Sequence, residues 1–358
     1  MVILWLANRC LIPLGRRVPR WMAWGVALGT IAGLGLQGSA VGLGLGDDPD
    51  RPRLTSNWAW DRVPPDGVPP DQVPPLLHPP SPNKLAQTPS PGQGWLDRGI
   101  QQIQAGDLPG AISAFQQAVQ LEPSLTPAHY NLGLAYRQTG QLEPAIQAFY
   151  RATVADPTFA LGFSNLGAAL LEAGNLPQAE YFLRQAVQLD QTLGLGYYNL
   201  GLVYQYQGRW PESVQNLQRS IAISPTTPET WYQLALSQQQ AQQLTQALGS
   251  FQRAITLRPQ YAEALYGLGT LYYQQGRWDQ ALGAFLRSTQ AEPTYAHAYY
   301  GGGLVFLQQK KYPDAQTLFG YARDLYQQQG KPDWQARAQQ QWQQAQQQQT
   351  QQQQTQQQ

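Results

Sequence analysis

Small and apolar residues return to the same places every 34 residues through most of the chain. One row reads Gly99, Gly133, Gly167, Gly201, Gly269 and Gly303, with Ala235 in its gap. Twelve residues on, small residues recur at Ala111, Ala145, Ala179, Ser213, Ala247, Ala281 and Ala315. Four further on stand large apolar ones: Phe115, Phe149, Leu183, Leu217, Phe251, Phe285 and Phe319. Proline keeps the same step at Pro123, Pro157, Pro225, Pro259 and Pro293, and Gln191 occupies the missing place. A period of this length predicts one small unit, unable to bury its apolar face alone, stacked on copies of itself. Counting from Gly92 gives seven units in one register: 92–125, 126–159, 160–193, 194–227, 228–261, 262–295 and 296–329.

The second unit carries His129 at position 4, Leu132-Gly133 at 7–8, Tyr136 at 11, Ala145 at 20, Phe149 at 24, Ala152 at 27 and Pro157 at 32. This pattern closely resembles the tetratricopeptide repeat (TPR) family, over about two-thirds of the chain. The resemblance implies an all-α superhelical solenoid of seven helix-turn-helix repeats. Helix A of each unit starts near position 2 and helix B near position 17. Position 8 is expected where the two helices come closest, faced by the small residue at 20, with the large residue at 24 filling the gap to the next unit. Gly106, Gly140, Gly174, Gly208 and Gly276 suit a left-handed end to helix A. Proline at 32 stops helix B, because it lacks the backbone donor that a continuing helix needs. Units 1, 5 and 7 depart from the pattern: Arg98 and Gly302 replace leucine, and Ala235, Gln242 and Lys310 replace glycine.

The rest of the chain is of other kinds. In residues 1–46 four arginines precede a stretch from Trp21 to Gly46 with no charge, and Asp47, Asp48 and Asp50 follow. Such an asymmetry predicts export, either with a cleaved signal peptide or with a signal anchor, and so a periplasmic or lumenal location. Gly38-Ser39-Ala40 suits cleavage, while Gly25, Gly29 and Gly33 suit helix packing in lipid. A G-x-G-x-x-G spacing at Gly33–Gly38 has no strand before it and is read as no dinucleotide site. Residues 47–91 repeat Val-Pro-Pro and predict an extended, semi-stiff linker, a spacer or else a ligand for proline-reading domains. Trp334, Ala338, Trp342 and Ala345 recur at helical spacing. They predict a capping helix over 330–345 that covers the last open unit, or alternatively a partner site. The glutamine-rich residues 346–358 are expected to be a disordered tail or a fraying helix extension.

In TPR proteins helix A lines the inner groove, and the resemblance places positions 2, 5, 6, 9, 12 and 13 there. Position 6 holds Asn131, Asn165 and Asn199 in consecutive units, continued by Gln233. The row is similar to the asparagine ladder in the TPR half of O-GlcNAc transferase, where amides grip the backbone of an extended peptide. An amide offers both a donor and an acceptor, matching a peptide group. Asparagine at this position is also simply common in bacterial TPRs. Position 5 adds Tyr130, Tyr198, Tyr232, Tyr266 and Tyr300, rings with a wide apolar face and one polar tip. Arg137 at position 12 is the only basic residue there that suits a clamp for an acidic chaperone tail, so that role is disfavoured.

Composition narrows the function. The net charge is +1 with 13% charged residues, which gives no footprint for nucleic acid. Cys10 is the single cysteine, and His78, His129 and His297 are far apart, so no metal or cofactor site is expected. No nucleophile stands with a base, no carboxylates pair, and no phosphate loop follows a strand, so no enzyme is expected. The chain reads as a protein–protein interaction scaffold that binds an extended polypeptide segment outside the cytoplasm, with the membrane a further partner if residues 1–46 stay attached. A structural or assembly subunit of a membrane or envelope complex, and a targeting subunit for a separate enzyme, are the alternatives.

Overall fold

The computed structural model describes residues 90–357. The expected export segment and the linker up to residue 89 lie outside the described residues. Among these there are fifteen helices and no strand. The seven units are α1 (Pro91–Gln104) with α2 (Leu108–Leu121), α3 (Thr126–Gln138) with α4 (Leu142–Ala155), α5 (Ala160–Glu172) with α6 (Leu176–Leu189), α7 (Gly194–Tyr206) with α8 (Trp210–Ile223), α9 (Pro228–Gln240) with α10 (Leu244–Leu257), α11 (Ala262–Gln274) with α12 (Trp278–Ala291), and α13 (Ala296–Gln308) with α14 (Tyr312–Gln328). α15 (Pro332–Gln357) follows. Odd-numbered helices up to α13 are A helices and even-numbered ones are B helices. Neighbouring A helices touch directly, as α5 does α7, α7 does α9 and α11 does α13, and no pair of B helices packs as closely. The stack therefore bends with the A helices on its inner side.

Each A helix ends in a residue with positive φ, Gly140 at 76° for example. Its N–H reaches Arg137 O at 3.1 Å and the next N–H, of Gln141, reaches Tyr136 O at 2.9 Å, which satisfies carbonyls that the helix end would leave open. Where the glycine is replaced, Gln242 and Lys310 take the same conformation at φ 61° and 58°. The stop to helix B needs more than proline. α6 ends at Leu189 although Gln191 holds position 32. There the Asp190 carboxylate accepts from Thr192 N at 2.8 Å and from its hydroxyl at 2.6 Å, a local turn that competes with the helix.

The core corrects one expected contact. A β-carbon at Gly133 would stand 2.6 Å from the Phe149 ring, and one at Gly269 would stand 2.7 Å from Phe285. The side chain over position 8 is thus that of position 24 in the same unit; position 20 comes near through its backbone, as Ala179 O does at Gly167. The position-24 side chain also meets position 6 of the next unit. β-Carbons at Gly267 and Gly301 would lie 2.5 Å from Phe251 and 2.8 Å from Phe285. Phe149, Phe251 and Phe319 are fully buried, so truncating one to alanine removes about 3–5 kcal/mol of stability.

The C-terminus differs from the expected boundary at residue 345. α14 runs through the place where the other B helices stop, because Tyr326 stands where units 2 and 3 have Asp156 and Asp190. It turns at Gly330, φ 68°, with the hydrogen bonds of an A–B turn: Gly330 N to Gln327 O at 3.1 Å and Lys331 N to Tyr326 O at 2.9 Å. α15 buries Trp334, Ala338 and Ala345 and continues through the glutamine run to Gln357. Glutamine is a good helix former, and the packed first half supplies the nucleus that a free peptide lacks. Gln316 Nε2 donates to Gln349 Oε1 at 2.6 Å, which ties this extension to α14.

Candidate functional site: the inner face of the A helices

Five tyrosines stand at position 5 of the inner helices, and all but Tyr198 lean on rings of their own unit. Tyr130 lies 5.8 Å from Phe149 and 5.1 Å from Phe159, and Tyr232 lies 6.1 Å from Phe251 and 5.1 Å from Tyr261. Tyr266 packs on Phe285 and Tyr295, both at 5.6 Å, and Tyr300 on Phe319 at 5.5 Å. Tyr198 packs beside Leu217 and Leu234. Burial pushes the hydroxyls of Tyr130, Tyr198 and Tyr300 up to about 12, and those of Tyr232 and Tyr295 higher still. These rings keep their protons and act as neutral surfaces. Tyr300 is buried; the other four are partly buried.

The amides at position 6 lie deeper than the tyrosines. Asn131, Asn165 and Asn199 are 6–7% exposed and Gln233 is 9% exposed. The reason is their place over the position-24 side chain of the preceding unit. Asn165 Nδ2 donates to Leu161 O at 2.9 Å and to Tyr130 Oη at 3.2 Å. Asn131 and Asn199 make no side-chain hydrogen bond among the described residues. The row ends at unit 6, where Gly267 and then Gly301 occupy the position.

Arg137 is paired. Its Nε donates to Glu172 Oε1 at 3.0 Å and Oε2 at 3.1 Å, and its Nη2 contacts the same carboxylate. Glu172 belongs to the next unit, so this bond clips α3 to α5. Position 12 meets position 13 of the next unit again where Gln308 Nε2 donates to Tyr273 Oη at 3.4 Å. In unit 4 position 12 is Gln205, fully buried, donating to Gln233 O at 2.9 Å and Ser237 Oγ at 2.7 Å. Ser213 continues this network to Ser237 Oγ and Gly201 O, each at 2.8 Å. The Gln205 Nε2 bonds tie units 4 and 5 together, while its buried Oε1 has no partner among the described residues. Repeat spacing does not reveal this tie, since position 12 is also polar at Arg137 and Gln239; the signal is Ser237 at position 10, where units 2, 3, 4, 6 and 7 have alanine, valine or leucine.

Both described histidines are structural. His129 Nε2 bonds to Pro123 O at 2.8 Å, as Trp231 Nε1 at the same position bonds to Pro225 O. Burial holds the His129 imidazole below its usual value. His297, at position 2 and so expected toward the groove, is drawn into rings beneath the cap, 4.7 Å from Trp334, with Nδ1 2.8 Å from Tyr326 Oη. Among the described residues no group of metal ligands gathers, and no helix is long and apolar enough to cross a membrane.

The chain belongs to the tetratricopeptide repeat family: the family model described as the cilia and flagella-associated protein 70 C-terminal domain matches residues 83–292, more than half of the chain, and a tetratricopeptide repeat model matches residues 268–329. A tetratricopeptide repeat protein from Parabacteroides merdae is similar at 17% identity and a TM-score of 0.54, over 69% of this chain and 98% of its own. PilF of Pseudomonas aeruginosa is similar at 19% identity and 0.51, over 58% and 94%. YrrB, described as a TPR protein with an unusual peptide-binding site, reaches 25% identity and 0.45, over 51% and 93%. The first two are likenesses of fold, and the third stops short of that. No curated protein matches the chain.

Proposed function

We propose that this protein is a non-catalytic interaction scaffold that holds an extended segment of another polypeptide along its inner A helices. The observation that carries the reading is the row of partly buried tyrosines Tyr130, Tyr198, Tyr232 and Tyr266, interrupted by Ser164 in unit 3, along the amides of Asn131, Asn165, Asn199 and Gln233. Apolar ring surface supplies most of the affinity. Each neutral amide contact adds about 0.5–1.5 kcal/mol, and ordering the guest offsets part of that. Binding in the micromolar range follows, about −8 kcal/mol. Arg137 contributes as a clip for the groove wall, since Glu172 neutralises it. The arginine-asymmetric residues 1–46 support a meeting with the guest outside the cytoplasm.

A photo-crosslinker on the inner face at Leu134 or Tyr206 tests this in intact cells. The expected result is one dominant polypeptide neighbour, captured less when Asn131 and Asn199 are both alanine. Those two make no internal hydrogen bond, so the melting temperature should hold; Asn165→Ala should lower it. Undiminished capture by a folded Asn131→Ala, Asn199→Ala double variant would remove the amides from the site.

A further inference from the structure

On the opposite side of the stack, the outward stripe of each B helix runs through positions 22, 25, 26, 29 and 30. In units 1 to 6 the only charged residues on this stripe are Arg151, Arg184, Arg219, Arg253 and Arg287, all exposed. No aspartate or glutamate stands at positions 22 to 30 of the stripe; those that follow at position 31 are engaged, Asp156 by Thr158, Asp190 by Thr192, Glu292 by Thr294 and Glu122 by Ser90. In units 1 to 6 the acids on the B helices are confined to their first half, as with Glu143, Glu180, Glu212 and Asp279. The arginines are not explained by the helix dipole, since no B helix among these carries a basic residue in its last turn. Arg184 reaches Glu180 at 3.5 Å; Arg219, Arg253 and Arg287 make no ion pair or hydrogen bond among the described residues.

The same stripe holds most of the large apolar side chains that folding leaves exposed: Leu121 at 53%, Val154 at 50%, Leu189 at 44%, Tyr181 and Leu286 at 42%, and Ile223 at 38%. Between α6 and α8 it opens into a groove of about 250 Å³. Arg184 and Arg219 flank the groove, and Val187, Tyr197 and Leu200 line it. Glu212, also on its wall, is engaged by Arg209 at 2.9 Å.

We propose that this outer stripe docks an acidic polypeptide segment, with carboxylates set against the arginines and an apolar side chain seated in the groove between α6 and α8. Unpaired arginines of one sign steer an acidic partner and fix its register. The groove favours a polypeptide over a lipid surface, because a bilayer cannot send a single side chain into a recess on an outward-curved face. The site is separate from the inner face and stands or falls independently of it.

Fluorescence anisotropy on the full chain tests the proposal. The probe is a labelled peptide alternating glutamate and leucine, with its lysine–leucine counterpart as control. The glutamate peptide should bind, weaken steeply with added salt, and bind about tenfold more weakly to Arg219→Glu, Arg253→Glu. The neutral pair Arg219→Gln, Arg253→Gln should lie between, which covers misfolding of the charge-reversed protein. Equal binding of both peptides, or of the wild type and the neutral pair, would overturn the proposal. So would co-sedimentation with phosphatidylglycerol vesicles through these arginines while the peptide stays unbound.

Discussion

Leu318 fills the room that a side chain at Gly302 needs: a β-carbon there would lie 2.8 Å from Leu318 Cδ1. Units 2 to 6 hold leucine at the position of Gly302, and four of them hold Ala148, Asn216, Ser250 or Ala284 at the position of Leu318. The last unit has exchanged large for small across the A–B contact and keeps the volume. Gly302→Leu alone should therefore destabilise by about 1–3 kcal/mol through overpacking. Leu318→Ala alone should leave a void costing about 2–5 kcal/mol. The double variant should recover most of both losses, measured as a coupling energy in urea denaturation; simple additivity would refute the exchange.

The turn residues offer a gain in stability. Gln242 and Lys310 hold φ near 60°, a conformation that disfavours side-chained residues by about 1–2 kcal/mol. Replacing either with glycine should raise stability by up to that amount, less the greater freedom of glycine in the unfolded chain. Thermal melts of Gln242→Gly and Lys310→Gly check it. The reverse change, Gly140→Gln, should lower the melting temperature.

Two glutamates should respond oppositely to pH. For Glu180, burial acts to raise the carboxyl, but bonds from Gln207, Arg209 and Tyr204 outweigh it and hold the group below its ordinary 4.5. Its stabilisation is present above pH 4.5 and is lost as pH falls through the lower folded value. For Glu263, burial first and then Glu292 raise the carboxyl, with Arg258 acting the other way. That contribution is full below pH 4.5 and is lost as pH rises through the folded value. Glu180→Gln should thus reduce stability at neutral pH and Glu263→Gln should increase it. Both differences should shrink at low pH, measured by denaturation at pH 7 and near pH 3.

The length of the unit, the positions of the turns and the starts of the B helices were all legible in the residues themselves. Each depends on an anchor that recurs every 34 residues and acts within one unit: Gly140 at its turn, Gly133 beneath Phe149. The end of the last unit was harder to read. Tyr326, where units 2 and 3 have aspartate, lets α14 run on and moves the cap, and only packing against Trp334 and His297 explains why.

The chemistry of the inner face belongs to tertiary structure. Its contacts join residues 35 apart, one more than the repeat: Tyr130 with Asn165, Arg137 with Glu172, Tyr273 with Gln308. Reading down the equivalent positions shows Asn131, Asn165 and Asn199 as one row and hides these diagonal partners. Stacking one unit on the next buries the amides, pairs the arginine and leaves the tyrosine faces as the surface a guest would meet.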